Sequence, residues 1–174
     1  QNMKASDFND LILPVEQKIF RLARRLLVST DSAKDATQEV MIKLWNKRDD
    51  FDRISNIEAF AMTMTKNHCL DQLRLKRNQN LRLVHSNYEN SEVDPHEKLE
   101  AKQELKTVEM LMEKLPENQK MILHMRQIEG YEYDKICEIM DMNATAVRVA
   151  LSRARKTLVE ELSKIKKHEK RKQN

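Results

Sequence analysis

Glycine is almost absent from this chain, which carries a single one, Gly130, among 174 residues. Strand-rich folds need turn glycines and runs of β-branched or aromatic residues. Aromatic residues make up only 5% of the chain, and proline occurs three times. Apolar residues recur instead at the three- and four-residue intervals of helices. The sequence therefore predicts an all-α protein, long enough for one medium domain or two small ones.

The N-terminal part predicts three amphipathic helices. The first begins at Pro14, because proline suits the first turn of a helix. Residues 29–32, Ser-Thr-Asp-Ser, end it and offer caps for a second helix over residues 32–47. A polar loop at residues 49–56 precedes a third, long helix over residues 57–77.

The middle of the chain predicts a boundary between two units. Residues 78–93 lose the helical periodicity and gather asparagine and serine, which is typical of a flexible linker. Asp94, Pro95 and Glu97 then restart a helix as N-cap, first helical residue and capping-box partner. We expect two small helical domains joined by a flexible linker. The predicted divisions are an N-terminal domain at 5–77, a linker at 78–93, a C-terminal domain at 94–165 and a basic, disordered tail at 166–174.

Charge is segregated along the chain in three blocks. Residues 66–82 hold five basic residues and one acid, residues 86–118 hold four bases and nine acids, and residues 153–174 hold nine bases and three acids. This order suggests two nucleic-acid-facing modules and an acidic connector. Solvated helix faces are the alternative explanation for any one block.

Several classes of function find no support in the sequence. Cys69 and Cys137 lie far apart in apolar-periodic segments, which favours free thiols in a reducing cytoplasm. The histidines show no zinc-site spacing, and no apolar run reaches the roughly 20 residues of a membrane span. No signal peptide opens the sequence. Without a phosphate loop or a nucleophile motif, we expect no catalytic residue, metal, cofactor or small-molecule substrate, and a cytoplasmic protein that is not membrane-embedded.

The strongest motif lies at the C-terminal end. Gly130 stands where a helix C-terminus needs a left-handed residue. A short helix at 133–140 and a polar turn at 141–143 lead into a last helix over residues 144–165. Opposite its apolar stripe, Arg148, Ser152 and Arg155 share one face. A short helix, a tight turn and a basic helix predict a helix-turn-helix that reads the DNA major groove.

Two long segments carry a family resemblance. LPENQKMILHMRQIEGYEYDKICEIMDMNATAVRVALSRARKTL, residues 115–158, resembles the −35-reading domain of bacterial sigma factors, most closely of the extracytoplasmic-function (ECF) group. DSAKDATQEVMIKLW, residues 31–45, is similar to the helix of that group that docks on the polymerase clamp. NIEAFAMTMTKNHCLDQLRLKR, residues 56–77, is similar to the helix that reads and melts the −10 element. The resemblance spans residues 8–162.

The resemblance implies three sets of functional residues. Those for contact with core RNA polymerase are Asp35, Gln38, Glu39, Met41 and Trp45. Those for −10 DNA are Phe51 and Arg53 in an enclosing loop, Asn67 as the base-capturing side chain, and Lys66, Arg74, Lys76 and Arg77 along the strand. Those for −35 DNA are Arg126, Thr145, Arg148, Ser152, Arg153, Arg155 and Lys156, of which the last two suit phosphates. For Trp45, an equally supported interpretation is that the side chain fills the end of the apolar core.

The resemblance also implies the partners and leaves one competing function. The partners would be core RNA polymerase, promoter DNA and an anti-sigma factor.

Val149 and Ala150 stand where the group commonly has a small polar residue and an arginine, which puts the −35 sequence preference in question. Glu132 replaces the usual serine cap. The alternative is a conventional helix-turn-helix regulator that binds duplex operator DNA, which would not need residues 31–45 and 56–77.

Overall fold

The computed structural model describes residues 3–80 and 99–172, and every regular element within these ranges is helical. This confirms the all-α prediction. A 3-10 turn, Arg48–Arg53, lies between α2 and α3. The α-helices are α1 Ala5–Leu27, α2 Thr30–Asn46, α3 Ile57–Asn80, α4 Leu99–Glu113, α5 Glu117–Gln127, α6 Tyr133–Met140 and α7 Ala144–Lys172.

The first helix starts earlier than predicted, so that Pro14 lies inside α1. Phe8 and Ile12 extend the apolar series toward the N-terminus, and both are buried. Proline removes one backbone hydrogen bond from a helix interior and crowds the preceding turn. Burial of two large side chains offsets that loss, because each contributes about 1.5–3 kcal/mol. The prediction from local propensity was wrong because tertiary packing outweighs it here.

The N-terminal helices pack around an aromatic cluster. The Phe8 ring stands edge-on to Trp45 at 5.1 Å between centroids and stacks on Phe51 at 6.0 Å. Ser29 caps α2 as predicted, with its hydroxyl accepting a hydrogen bond from the Ser32 N–H. The predicted polar loop at 49–56 is instead largely the 3-10 turn, because Phe51 is drawn into the core.

The predicted helix-turn-helix is present as α6 and α7. Gly130 has a φ of +68°, the left-handed conformation expected at the end of α5. Asn143 caps α7 through its side-chain oxygen, which accepts a hydrogen bond from the Ala146 N–H at 2.8 Å. Glu132 precedes α6 without a side-chain cap. Val147, Leu151 and Ala154 are buried and fix which face of α7 points outward.

On α4, Leu105 is 66% exposed, whereas Leu111 is buried. One further expectation about the C-terminal helices was wrong. The basic tail is not disordered over its described part, because α7 continues to Lys172. Residue 94, where α4 was predicted to be capped, lies outside the described residues, as does most of the predicted linker.

The two helical units pack against each other. Helix α1 contacts α5, and α3 contacts α6, the first helix of the helix-turn-helix. Buried side chains from both units belong to one continuous apolar cluster. Charged side chains from both units form ion pairs at this junction.

Candidate nucleic-acid interface

Helix α7 presents a basic face to solvent. Because Val147, Leu151 and Ala154 are held in the core, the side chains on the opposite side are exposed. The exposed set contains six of the seven residues assigned to −35 DNA: Thr145, Arg148, Ser152, Arg153, Arg155 and Lys156. The structure brings these predicted residues together on one surface. An exposed helix of this kind, preceded by a short helix and a turn, has the shape and charge to enter a major groove.

The seventh residue, Arg126, reaches the same surface from α5. Its guanidinium lies 4.7 Å from the centre of the Tyr133 ring, and the Arg148 guanidinium lies 5.2 Å from that same ring. Arg126 also donates a hydrogen bond to the Tyr131 carbonyl at 2.8 Å. The shared ring limits the conformations of both arginines through cation–π contacts. Tyr133 lies in the segment that resembles the −35-reading domain, but nothing in the sequence pattern indicates this contact.

A second basic surface lies on α3. Asn67 is exposed near the middle of the helix, and Arg74, Lys76 and Arg77 are exposed further along it. Arg74 forms an ion pair with Asp71 of the same helix at 2.8 Å. This surface provides an amide for hydrogen bonding and cations for a sugar–phosphate strand.

Lys66 and Phe51, both assigned to −10 DNA, are partly or fully buried in contacts within the protein. Lys66 is half-buried and donates a hydrogen bond to the Ile139 carbonyl of α6 at 2.8 Å. Burial lowers the pKa of its ammonium group, and Asp141 opposes this shift. Phe51, assigned to the enclosing loop, is 3% exposed and stacks on Phe8, so in this structure its ring belongs to the core. Arg53, from the same turn, is exposed.

Helix α2 carries the side chains assigned to core polymerase. Asp35, Gln38 and Glu39 are exposed on one face. Asp35 and Glu39 line one wall of a cleft of about 190 Å³, and α3 forms the other wall with His68, Gln72 and Lys76. His68 lies 3.1 Å from the Lys43 ammonium, and burial together with that charge lowers its pKa.

Met41 and Trp45 are half-buried and pack against the core. The Trp45 indole packs against Phe8 in a T-shaped arrangement, and the Arg48 guanidinium lies 4.1 Å from the centre of the indole ring. Trp45 thus has both a core contact and an accessible part. This geometry is compatible with both interpretations of Trp45, as a polymerase contact and as a residue that fills the end of the core.

The junction between the two units contains a buried carboxylate that sequence reasoning missed. Glu129 follows α5, and its side chain is 1% exposed. Arg21 of α1 binds both of its oxygens at 2.8 Å, and His124 lies 3.2 Å away. Burial alone would raise the pKa of Glu129, but hydrogen bonds from Arg21 and His124 outweigh it and lower the pKa to about 2.

A second carboxylate, Glu58 at the start of α3, forms a matching site. It accepts hydrogen bonds from Lys18 of α1 and Lys135 of α6, which outweigh the effect of burial and lower its pKa. The ring of Tyr131 lies beneath both ammonium groups, at 5.5 Å from Lys18 and 4.3 Å from Lys135. Burial raises the pKa of the Tyr131 hydroxyl, and the two carboxylates add to the shift. Only the tertiary fold brings these residues together, so no sequence spacing signals them.

Cys69 and Cys137 are free thiols, as predicted, and burial raises the pKa of Cys69 to about 12. Among residues 3–80 and 99–172, no cluster of His, Cys, Asp and Glu is arranged to hold a metal ion. None of the described helices is long and apolar enough to span a membrane.

Comparison with known proteins places both surfaces in one family. Residues 11–79 match the model for region 2 of sigma-70, and residues 105–158 match the model for region 4. The ECF RNA polymerase sigma-E factor of Escherichia coli K12 is 28% identical over 161 residues, covering 87% of this chain and 84% of the relative. The RNA polymerase sigma-H factor of Pseudomonas aeruginosa is 26% identical, covering 87% and 83%.

Solved structures show the same fold. The sigma factor RpoE of Bartonella quintana, determined in complex with the anti-sigma factor NepR, gives a TM-score of 0.75 at 23% identity and covers 91% of this chain and 98% of its own. CnrH, determined in complex with the cytosolic domain of CnrY, gives 0.69 at 19% identity and covers 92% and 90%.

Fold and site together define a two-domain, all-α DNA-binding protein of transcription initiation. The chain belongs to the sigma-70 family and, within it, to the ECF group of sigma factors. Such a factor binds RNA polymerase and directs promoter-specific transcription. The comparisons give no support to the alternative of a conventional operator-binding regulator.

Because His124 is buried, we expect the free energy of unfolding to depend on pH. Burial lowers the pKa of His124, with the Glu129 hydrogen bond opposing that shift. Below the unfolded-state pKa near 6.5, the unfolded chain therefore binds more protons at this site than the folded chain does. Stability is lost as pH falls through this range, by at most about 1.4 kcal/mol per pH unit from this residue.

The test is urea unfolding of the wild type and His124→Gln at pH 7, 6 and 5. The glutamine keeps an N–H donor for Glu129 but does not titrate, so its loss of stability toward pH 5 should be smaller. His68 is present in both proteins and cancels in the comparison. Equal slopes for the two proteins would contradict the assignment to His124.

Proposed function

We propose that this chain reads the −35 element as duplex DNA with α7 and melts the −10 element by capturing a base on α3. The observation that carries the proposal is the presence of one exposed, basic DNA-facing helix in each matched sigma region. The domain divisions at residues 5–77 and 94–165 belong to this proposal. The chain catalyses no reaction itself: it positions polymerase on the promoter.

For −35 recognition, Arg148 is the central base-reading candidate. It lies in the first turns of the recognition helix, where side chains face base edges. The Tyr133 ring lies within cation–π distance of both Arg148 and Arg126. Arginine reads guanine through a bidentate contact, which contributes about 1–3 kcal/mol of discrimination. Val149 and Ala150 add no polar contact to bases, so few side chains of α7 are available to recognise the −35 sequence.

Replacing Arg148 with alanine should reduce sequence discrimination at −35. We expect binding to a −35 duplex to weaken by about 10- to 100-fold, and binding to a scrambled duplex to change far less. Lys156→Ala is the matched control, because a phosphate contact weakens both duplexes alike and reduces the salt dependence. Equal losses on both duplexes with Arg148→Ala would show that Arg148 only touches phosphates.

For −10 recognition, Asn67 is the base-capturing candidate. A base leaves the duplex at a cost of a few kcal/mol, which contacts outside the helix must offset. Asn67 offers both a donor and an acceptor at an exposed position on α3. Arg53, Arg74, Lys76 and Arg77 supply positive charge, while Phe51 holds the neighbouring turn in place from the core.

Replacing Asn67 with alanine should weaken binding to a single-stranded −10 fragment by about tenfold, the effect of losing a hydrogen-bonded contact of this kind. Asn78→Ala is the matched control, since Asn78 is an exposed asparagine on the same helix. Fluorescence anisotropy with labelled oligonucleotides measures both. Unchanged affinity for Asn67→Ala would refute base capture and leave the helix-turn-helix untouched.

For docking on core polymerase, the exposed acidic face of α2 is the proposed surface. Asp35, Gln38 and Glu39 offer carboxylates and an amide to a basic partner, with Met41 and Trp45 as apolar contacts beside them. Charge reversal at such a surface places like charges against each other, which costs several kcal/mol.

The decisive assay is initiation in vitro with purified core RNA polymerase. The wild type should co-purify with core and support initiation, while Asp35→Lys combined with Glu39→Lys should lose at least about tenfold in both readouts. Asp10→Lys combined with Glu104→Lys is the matched control, because those acids are exposed on other helices. A wild-type chain that neither binds core nor initiates at any promoter would refute the proposed function.

The resemblance and the structural relatives also suggest a partner and a compartment. RpoE and CnrH were each determined with a partner, named for RpoE as an anti-sigma factor. We propose an anti-sigma factor for this chain too, which would act by covering the acidic face of α2 or the basic face of α7. The cytoplasm is the proposed compartment, because polymerase and promoter DNA meet there.

A further inference from the structure

A carboxylate stands among the arginines of the DNA-facing surface. Glu132 precedes α6, and its side chain is 83% exposed. One of its oxygens lies 3.5 Å from the guanidinium of Arg126, which shares the Tyr133 ring with Arg148. DNA is a polyanion, so an acid at this position opposes the positive charge that the arginines provide. The surface assigned to −35 DNA thus contains a group that repels DNA.

Glu132 does not act as a side-chain cap of α6. The residue before a helix commonly accepts a hydrogen bond from an N–H of the first turn, and the short polar side chains do so best. Glu132 makes no such hydrogen bond, and its carboxylate lies beside Arg126 instead. A negative charge near the start of a helix also stabilises the helix dipole, but Asp134 in the first turn already supplies one. Helix stability alone therefore does not account for Glu132.

Arg126 is the residue through which Glu132 can affect DNA binding. One guanidinium nitrogen of Arg126 donates a hydrogen bond to the Tyr131 carbonyl at 2.8 Å, and the same nitrogen lies nearest to Glu132. The Arg126 side chain is only 28% exposed. Arginine binds a phosphate best through two N–H groups at once, and a neighbouring carboxylate competes for those donors. A phosphate therefore binds Arg126 less tightly while Glu132 is beside it.

The helix-turn-helix indicates which part of the DNA this pair meets. When the second helix enters the major groove, the first helix crosses the sugar–phosphate backbone. Glu132 stands at the start of that first helix, α6, and Arg126 lies at the edge of the surface that α7 presents. Phosphate contacts give affinity for any DNA but carry no sequence information directly. Glu132 is thus placed to act on the sequence-independent part of binding.

We propose that Glu132 limits the affinity of this chain for DNA by competing with a backbone phosphate for Arg126. The inference rests on the proposed function and adds to it a residue that sets the strength of the −35 contact. Phosphate contacts supply essentially all nonspecific binding, and a genome offers a large excess of nonspecific sites. Weaker nonspecific binding leaves more of the free chain available to dock on polymerase.

The experiment measures binding of the full chain to a labelled DNA duplex of arbitrary sequence, by fluorescence anisotropy at salt concentrations from about 50 to 200 mM. Glu132→Gln removes the charge and keeps the size of the side chain. Glu132→Ser removes the charge and supplies a side-chain cap for α6. Because Glu132 is exposed, both variants should keep the helix content of the wild type, which circular dichroism verifies.

Both variants should bind the duplex about three- to fivefold more tightly than the wild type at the lowest salt concentration, as expected when an exposed competing ion pair is removed. The slope of log affinity against log salt should become steeper by up to about 0.9, because Arg126 then neutralises one more phosphate. Affinity and slope equal to those of the wild type would overturn the proposal. Weaker binding would overturn it as well, since Glu132 would then make a favourable contact with DNA.

Two further variants separate competition for Arg126 from a general effect of charge. Glu138→Gln is the matched control, because it removes the same charge from an exposed glutamate near the other end of α6. A gain as large as that of Glu132→Gln would contradict a specific role. In an Arg126→Gln background, Glu132→Gln should change the affinity by less than about twofold, because the two residues act together. A full gain without Arg126 would refute the competition.

Initiation with core polymerase is measured beside duplex binding, so that the two proposals fail separately. A wild type that neither binds core nor initiates would refute the proposed function, while duplex binding still decides the role of Glu132. A wild type that initiates, with Glu132 variants that bind the duplex no more tightly, would refute only the role of Glu132.

Discussion

The arrangement of this molecule depends on one buried carboxylate, Glu129. Its side chain is almost fully enclosed, and it is bound by Arg21 from the other domain and by His124 from its own. Removing either a buried charge or its partner leaves the other uncompensated, which is the costly way to break an ion pair. The pKa of Glu129, lowered to about 2, shows that its hydrogen bonds outweigh the cost of burial. Glu129 therefore joins the two domains through a contact that is costly to break from either side.

The position of Glu129 follows from a local feature of the chain. Helix α5 ends just before it, and Gly130 turns the backbone with a positive φ that other residues rarely adopt. This turn brings Tyr131 under Lys18 and Lys135, so the ring and the carboxylate serve two neighbouring sites. It also places Tyr133 at the start of α6, between Arg126 and Arg148. One glycine thus links a helix end, the domain junction and the support of the DNA-reading arginines.

Features of the fold that depend on neighbouring residues could be predicted from the sequence, whereas features that depend on residues far apart in the sequence could not. The bounds of α6, the left-handed Gly130 and the Ser29 cap were predicted correctly, because each is set by a few neighbouring residues. The outward face of α7 was also correct, since helical periodicity determines it. The start of α1 was wrong because Phe8 gains its stability from Trp45 and Phe51, which lie far away in the sequence. The junction of Arg21 with Glu129 joins residues 108 positions apart, and no local pattern encodes such a pair.

The junction between the two domains combines two kinds of contact, apolar burial and ion pairs, that respond differently to water. Apolar interfaces gain their stability by removing surface from water, and they expose that surface when they separate. Charged side chains lose hydration on closing and regain it on opening, so the two states differ less in free energy than the number of contacts suggests. The junction combines both, with a continuous apolar cluster beneath and ion pairs above. Separation of the domains would therefore hydrate the ion pairs but also expose the apolar cluster to water, which costs free energy.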